Sequence, residues 1–469
     1  MSVRRMTTRD SRRTASTLSS RLLRPKDSIG SEKLGDQPFV AGRPFALGMV
    51  VRFGWGLADQ LLSSATNFLL ALLVARTVGA RDLGAFSVAY ATFTFSLGAV
   101  RAIAAELLVV RHSAVSVDEW REGVTRSAGT ALMAGIVVGA GSLIAGASVG
   151  EPFRSVLLIV GLSLPFLLVQ DVWRFAFFAR GRGSAAFLND VVWTVAMFAA
   201  FALLRYYNVS SVVSLTLGWA GSGCLAAIVG AFQLKLLPSR PLAAVRWLRH
   251  HREIAQRFLA EFVVSTGVST LTLFAIGIIA GLDDVGRLRA GEIALGPLSV
   301  LFTGAGMVAT AEGVRLLRES PRRLVHGCRW LSLALTAGVV AWGGVILLVP
   351  RNIGELVLRA NWDAASGLLP PLLIALIGYA LSFGAWTGLR SLAAARRSLH
   401  ARCIEGSLTF SLGVAGAYLG GATGVAWGYA LTGCLRSLNA WWHFSRALGD
   451  HESRPGPDRP PETTLAPRG

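Results

Sequence analysis

Residues 61–75 have the sequence LLSSATNFLLALLVA, and this stretch decides the fold. Its apolar residues do not alternate with polar ones, which excludes a strand of a membrane β-barrel because such strands have one polar face. Together with its apolar flanks it is long enough for a helix that crosses a bilayer, which takes about 20 residues. The stretch therefore predicts a transmembrane α-helix.

Similar stretches fill most of the chain. Hydrophobic residues make up 53% of the 469 residues and charged residues only 16%, against about 25% charged residues in soluble domains. This composition excludes a soluble enzyme, a disordered protein and a secreted disulfide scaffold. Twelve spans are predicted, at 47–75, 83–110, 124–149, 153–180, 184–205, 210–236, 257–281, 286–316, 324–349, 364–394, 399–419 and 422–446. We therefore expect an all-α polytopic membrane protein with about twelve transmembrane helices.

The basic residues are distributed unevenly between the two sides of the predicted membrane. Loops on one side hold eight Lys and Arg residues, and loops on the other side hold 21. Because basic loops stay in the cytoplasm, the richer side is predicted to be cytoplasmic, and it includes both termini. The net charge of +19 is then explained by the negative surface of the cytoplasmic membrane, and no nucleic-acid partner is expected.

Two tails and one linker frame the spans. Residues 1–46 carry ten basic and four acidic residues among Ser, Thr, Pro and Gly, which predicts a disordered cytoplasmic tail. Residues 447–469 are Pro-rich and are predicted to form a second one. The basic segment 237–256 is predicted to lie on membrane lipids and to link an N-terminal lobe, 47–236, to a C-terminal lobe, 257–446.

The two lobes are related by an internal repeat. A shift of 202 residues places span 1 on span 7 without a gap, so that Asp59 falls on Glu261 and Gly84 on Gly286. A shift of 216 residues aligns the start of the loop after span 4 with that after span 10, and insertions between these regions, for example in 350–363, are expected to account for the difference of 14 residues. Six spans per lobe give both lobes the same orientation in the membrane.

Spans 1 and 7 each carry a polar stripe on one helical face, headed by a carboxylate. The stripes consist of Asp59, Ser63 and Asn67 in span 1, and of Glu261, Ser265 and Ser269 in span 7. Charged groups inside a membrane are costly and mark cavities or partners. We expect both stripes to line a wet cleft between the lobes, where a carboxylate binds H⁺, Na⁺ or a cationic substrate. The alternative is a structural carboxylate held by neighbouring hydroxyl groups.

Span 2 and span 8 also carry charges. Arg101 lies well inside span 2 and suits bidentate contact with a phosphate; the alternative is an ion pair with Asp59 or Glu261. Glu106 follows on a different face of the same span. Glu292 precedes Gly296-Pro297, where proline is expected to bend span 8. Arg52 lies at the cytoplasmic mouth of span 1, where an arginine that reaches to the membrane interface is equally expected.

A further charged group crowds the inner ends of spans 4 and 5. It consists of Asp171, Arg174, Arg180 and Asp190, and we interpret it as a cytoplasmic ion-pair network that gates the cleft. The sequence contains no P-loop, no HExxH, no GxSxG and no Cys/His cluster. An enzyme is therefore not expected, and neither is a cofactor or a metal site.

Two segments resemble polysaccharide and O-antigen flippases of the multidrug/oligosaccharidyl-lipid/polysaccharide (MOP) exporter superfamily. They are NFLLALLVARTVGARDLGAFSVAYA at 67–91 and WRFAFFARGRGSAAFLNDVVW at 173–193. The resemblance covers about residues 47–446. It implies a V-shaped pair of six-helix bundles, a central cleft lined by helices 1, 2, 7 and 8, and alternating access.

The resemblance also implies roles for individual residues. Glycan exporters line the cleft with cations that meet a lipid diphosphate, which points to Arg101 and Arg52. This sequence departs from that pattern, because the same four helices also carry the carboxylates Asp59, Glu106, Glu261 and Glu292. The multidrug branch uses a helix 1 carboxylate for cation coupling. Because Asp59 is a helix 1 carboxylate, a cation-coupled multidrug transporter remains an alternative.

Three hypotheses follow. The first is a flippase for a polyprenyl-diphosphate-linked oligosaccharide or polysaccharide precursor, with the lipid-linked glycan as its substrate. The second is a multidrug or metabolite antiporter coupled to H⁺ or Na⁺. The third is a transport-inactive scaffold that docks glycan-assembly enzymes through the basic linker. A monomer is expected in each case, because each lobe can pack against the other.

Overall fold

The structure is a computed structural model that describes residues 43–113 and 115–453, with side chains from residue 54 onward except that of Met307. The predicted tails therefore lie largely outside the described residues, and so does the side chain of Arg52. Every described element is a helix. The first seven are α1 (Arg43–Thr77), α2 (Ala80–His112), α3 (Val117–Ala147), α4 (Phe153–Ala179), α5 (Gly183–Tyr206), α6 (Val212–Leu234) and α7 (Pro241–His250).

The second half of the chain continues in the same way. Its helices are α8 (Arg252–Ile279), α9 (Leu282–Ala294), α10 (Pro297–Glu319), α11 (Pro321–Leu348), α12 (Arg351–Leu358), α13 (Asn361–Ser366) and α14 (Leu369–Ser391). The last helix, Ala395–Glu452, is broken at Gly420 and Gly421 and so forms α15 (395–419) and α16 (422–452).

Within the described part of the chain, eleven helices are long and apolar enough to cross a membrane, and the last of these contains two spans. The twelve predicted spans are thus found as α1–α6, α8, α9 with α10, α11, α14, α15 and α16. The predicted bend in span 8 is also confirmed, because α9 ends at Ala294 and α10 begins at Pro297. The protein is a multi-pass, all-α membrane protein.

Residues of the repeat meet each other where the two halves cross. Gly84 of α2 lies against the backbone carbonyl of Leu282 in α9, and Gly286 of α9 lies against that of Ala80 in α2. A shift of 202 residues converts the first contact into the second, as a twofold axis requires. A Cβ atom on either glycine would meet backbone, so the crossing depends on glycine at both positions.

The linker helix α7 belongs structurally to the N-terminal half. Ala244 and Trp247 are buried, and the backbone N–H of Ser239 donates a 2.8 Å hydrogen bond to the Thr125 carbonyl of α3. Arg246 and Arg249 are exposed on the other face of α7. The α8 helix starts at residue 252, five residues before the predicted start of span 7, because the chain turns at His251 only.

The core of the N-terminal half forms around α4. Leu164, Trp173 and Phe177 of this helix are fully buried against α2, α3 and α6. Trp173 also donates a 3.2 Å hydrogen bond to the Ala227 carbonyl of α6. These contacts fix the rotation of α4 and so aim the remaining face, which carries Asp171 and Arg174, towards α1, α2 and α5.

Candidate functional site

A cavity of 610 Å³ lies between α1, α2, α4 and α5, beside the first turns of α8. We call it the N-side cavity. Its lining includes nine of the predicted functional residues, namely Ser63, Asn67, Arg101, Glu106, Asp171, Arg174, Asp190, Glu261 and Ser265. Residues assigned to a cleft and residues assigned to a cytoplasmic gate therefore line one space.

Arg174 of α4 holds three carboxylates together. Its Nε donates a 2.7 Å hydrogen bond to Oδ2 of Asp59 in α1, and its Nη2 donates to the same oxygen. The same Nε lies 3.3 Å from Asp190 Oδ2 of α5, and Nη1 lies 3.9 Å from Asp171 Oδ1. The side chains of Arg174 and Asp59 are only 10% and 1% exposed. Each charge therefore depends on its partners, because it has lost most of its hydration.

Arg101 of α2 forms a two-pronged pair with Asp171. Nε donates to Oδ2 at 2.8 Å and Nη2 donates to Oδ1 at 2.7 Å, while the guanidinium lies 5.6 Å from the centre of the Phe175 ring. The expected alternative of a pair with Asp59 or Glu261 is therefore wrong. The Arg101 side chain remains 34% exposed, so one face of it is open to the cavity.

Local backbone and side-chain contacts support this network. α2 widens into a π-helix at Arg101–Ala105, a feature that often occurs at functional sites. Behind the carboxylates, Gln170 donates from Nε2 to Asn189 Oδ1 at 3.0 Å and to Asp190 Oδ1 at 3.1 Å. Asn189 in turn donates to the Ala226 carbonyl at 3.0 Å. These bonds tie α4, α5 and α6 together beneath the ion pairs.

The N-side cavity carries an excess of negative charge. Its described lining holds two arginines, Arg101 and Arg174, and four carboxylates, Glu106, Asp171, Asp190 and Glu261; Asp59 stands directly behind them. Among the described residues, Oδ1 of Asp59 is buried without a hydrogen-bond partner. The buried carboxylates of this arrangement therefore depend on Arg101 and Arg174 for the compensation of their charge.

The network lies inside the membrane-spanning segments and not at their mouths. Asp171 precedes the end of α4 at Ala179 by eight residues, which corresponds to about 12 Å. Arg180 is separate from it: its Nη1 donates to the Val115 carbonyl at 3.4 Å, and its guanidinium lies 5.1 Å from the Trp120 ring. Of the four predicted members of the ion-pair network, Asp171, Arg174 and Asp190 are therefore in contact, together with Asp59 and Arg101, whereas Arg180 is not; the gating role stays a prediction.

A second cavity of 510 Å³, the C-side cavity, lies between α2, α8, α9, α14, α15 and α16. Ser269 and Glu292 line it, which differs from the expectation of one shared cleft. Glu292 pairs with Arg289 at 2.9 Å. Across α15 and α16, Glu405 pairs with Arg436 at 2.6 Å, and Arg436 lies 4.3 Å from the centre of the Tyr379 ring. The described lining of the C-side cavity therefore holds two arginines and two glutamates, and its net charge is zero.

The wall between the cavities is formed by helices α2 and α8. Tyr90 and Thr94 line both cavities, and Tyr90 donates from its hydroxyl group to Asn67 Oδ1 at 3.2 Å. Further along α2, the rings of Phe95 and Phe262 lie 5.5 Å apart. The polar stripe of α8 is therefore divided, with Glu261 and Ser265 on the N side and Ser269 on the C side.

Sequence reasoning missed three charged residues of these cavities, Arg289, Glu405 and Arg436, and it also missed Gln170 among the uncharged polar residues. Glu405 and Arg436 carried the same signal that identified Asp59, since each is a charge inside a predicted span. Arg289 lies only three residues after the start of predicted span 8, and Gln170 carries no charge to mark it.

No family model matches the chain, and no curated protein sequence matches it. Solved structures do resemble it. An inward-facing multidrug resistance MATE family transporter of the MOP superfamily superposes with a TM-score of 0.65 at 12% identity, over 82% of this chain and 95% of that chain. The lipid II flippase MurJ in an inward closed conformation gives 0.65 at 13% identity, over 85% and 90%.

A third comparison concerns a different conformation. An outward-facing MATE family transporter of the same superfamily gives a TM-score of 0.51 at 13% identity, over 87% of this chain and 95% of that chain. These likenesses establish the fold: the chain has the architecture of the MOP superfamily transporters.

Proposed function

We propose that the protein is an alternating-access flippase that moves a polyprenyl-diphosphate-linked glycan out of the cytoplasmic leaflet. The observation that carries the proposal is the pair of polar cavities between the two halves, with partly exposed Arg101 on one side and partly exposed Arg289 on the other. Both termini are cytoplasmic in this proposal, and the protein is a carrier in the cytoplasmic membrane and not an enzyme.

The diphosphate contact falls to Arg101. Its guanidinium is held by Asp171, so an arriving diphosphate has to displace that carboxylate. Arg174 already lies 3.9 Å from Asp171 and can take over the released carboxylate. Arg101 is then available for a bidentate phosphate contact, while Asp171 keeps Arg174 as a cationic neighbour.

The glycan contact falls to aromatic and hydroxyl groups around the wall between the cavities. Tyr90 and Thr94 face both cavities, Trp193 and Trp219 line the N side, and Tyr379 lines the C side. Aromatic rings that carry a polar group suit ligands with both apolar faces and hydroxyl groups, as sugars have. The lining therefore supports a glycan better than a purely lipidic cargo.

The experiment is a flipping assay in proteoliposomes. The probe is a polyprenyl-diphosphate N-acetylglucosamine with a fluorophore on the sugar, and an impermeant quencher reports which leaflet holds it. We expect Arg101→Ala to slow flipping at least about tenfold, a barrier change of about 1.4 kcal/mol. Arg180→Ala is the matched control, because Arg180 lies outside the network, and it should retain the parent rate. Equal rates for parent and Arg101→Ala would remove the diphosphate assignment.

A second candidate is a cation-coupled multidrug or metabolite antiporter. It is favoured by the acid excess of the N-side cavity and by the engagement of Arg101 with Asp171. This candidate predicts efflux of a cationic dye that stops when the H⁺ or Na⁺ gradient is collapsed, and that is lost in Asp59→Asn. Efflux that persists without either gradient would exclude it.

A further inference from the structure

The repeat is broken at one place, and the extra residues form a structure of their own. In the N-terminal half, α3 and α4 are joined by residues 148–152. In the C-terminal half, the equivalent helices α11 and α14 are joined by residues 349–368, which contain the short helices α12 and α13. The insertion thus accounts for the difference between the two repeat shifts.

This insertion reaches across to the other half through one side chain. Asn361, the first residue of α13, is only 2% exposed. Its Nδ2 donates hydrogen bonds to the carbonyls of Ala75 at 2.6 Å and Val78 at 2.8 Å. α1 ends at Thr77, and the last carbonyls of a helix have no partner within it. Asn361 therefore caps α1 with both protons of its amide group.

The cap lies at the same end of the molecule as the glycine crossing. α13 packs on α9, where the carbonyl of buried Ala365 lies near Gly291, while buried Trp362 lies against Gly354 of α12. α9 in turn crosses α2 at Gly84 and Gly286, a few residues after α1 ends. One end of the space between the halves is thereby closed twice, once by backbone contact and once by the amide group of Asn361.

We propose that Asn361 is an interlobe lock that holds this end closed and releases α1 when the end opens. The inference rests on the alternating access in the proposed function. Separation of the halves leaves the Ala75 and Val78 carbonyls to water, so opening has to break both hydrogen bonds. The lock has no counterpart in the N-terminal half, because that half lacks the insertion.

The experiment measures the opening directly, without any substrate. Spin labels are attached to cysteines placed at the exposed positions 81 in α2 and 283 in α9, in a chain whose four native cysteines are replaced. Pulsed electron–electron double resonance in liposomes then gives the distribution of distances between the two spin labels at this end. We expect Asn361→Ala to raise the long-distance fraction several-fold and Asn361→Ser, which keeps one donor, to raise it less.

The matched control is Ser366→Ala in the same short helix. The hydroxyl group of Ser366 donates to the Asp363 carbonyl, within its own half. Its distance distribution should equal that of the parent. If Asn361→Ala and Asn361→Ser lower the melting temperature but leave the distances unchanged, Asn361 is a structural cap only and the lock is overturned. A shift in distance with no flipping of the glycan probe would retain the lock and remove the proposed substrate.

Discussion

The two halves share one backbone plan but organise their charges differently. In the N-terminal half, two arginines and three aspartates from α1, α2, α4 and α5 form one connected network. In the C-terminal half, the charges of the cavity form two separate pairs, Arg289 with Glu292 and Arg436 with Glu405. The repeat therefore conserves helix packing, while the chemistry of the cavities is divided between the halves.

The repeat-related carboxylates show the same contrast. Asp59 is buried and held by Arg174, whereas Glu261 is exposed in the N-side cavity. The difference indicates that one position serves a fixed network and the other an open surface. Four experiments test this division, in order of decreasing expected effect.

The largest effect is expected for Arg174→Ala. It leaves Asp59 and Asp190 buried without their common partner, which should cost about 3–5 kcal/mol of stability. The measurement is thermal unfolding in detergent micelles. Addition of Asp59→Asn to the same chain should recover part of the loss, because it removes one of the stranded charges. A melting temperature equal to that of the parent would show that the network does not contribute to the stability of the fold.

Arg436→Ala tests the isolated pair in the other half. It strands only Glu405, whose side chain is 12% exposed, and should cost about 3 kcal/mol, the lower end of the range for a broken buried ion pair, because one carboxylate rather than two is left alone. The same thermal assay measures it. Glu405→Gln in the Arg436→Ala chain should restore most of the loss, since no charge is then left alone. A loss of stability as large as that of Arg174→Ala would show that the separate pair and the connected network contribute equally, which contradicts the difference between the halves.

Asp59→Asn and Glu261→Gln test which carboxylate couples transport to an ion gradient, the buried Asp59 of the network or the exposed Glu261. We expect Asp59→Asn to reduce gradient-driven transport about tenfold, or about 1.4 kcal/mol, because it removes the carboxylate that Arg174 binds in the buried cluster. Glu261→Gln should change it far less. Transport is measured with and without an imposed H⁺ or Na⁺ gradient, and the reverse order of effects would assign the coupling to Glu261.

Arg180→Ala should have the smallest effect. Its guanidinium lies near the Trp120 ring outside the network, and a cation–π contact at a partly exposed side chain contributes about 1 kcal/mol. Melting temperature and transport should both stay near the parent values. A severe loss of transport would return Arg180 to the gate group.

Much of the fold follows from the sequence because the bilayer restricts the choices. Apolar length defines the helices, and Gly296-Pro297 defines the break in span 8. The repeat of Gly84 and Gly286 marks the helices that meet on the axis, although the sequence does not show that the glycines touch each other. The insertion at 350–363 was visible as an offset, whereas its contact through Asn361 was not.

The site was harder to predict because ion pairs depend on helix rotation. Asp171 and Arg101 are 70 residues apart, and their pairing follows from how Trp173 and Phe177 fix α4. Charge in a span was a sound signal for the members of the network. It did not give their partners, and it could not show that the wall at Tyr90 divides the cleft in two.

The most direct test of the account is a mass-spectrometric profile of polyprenyl-linked glycans in a strain that lacks this protein. The account predicts that a completed lipid-linked glycan accumulates, and that the parent chain and Arg180→Ala clear it while Arg101→Ala does not. An unchanged profile, in a strain shown to contain no second flippase activity in the proteoliposome assay, would contradict the proposed function.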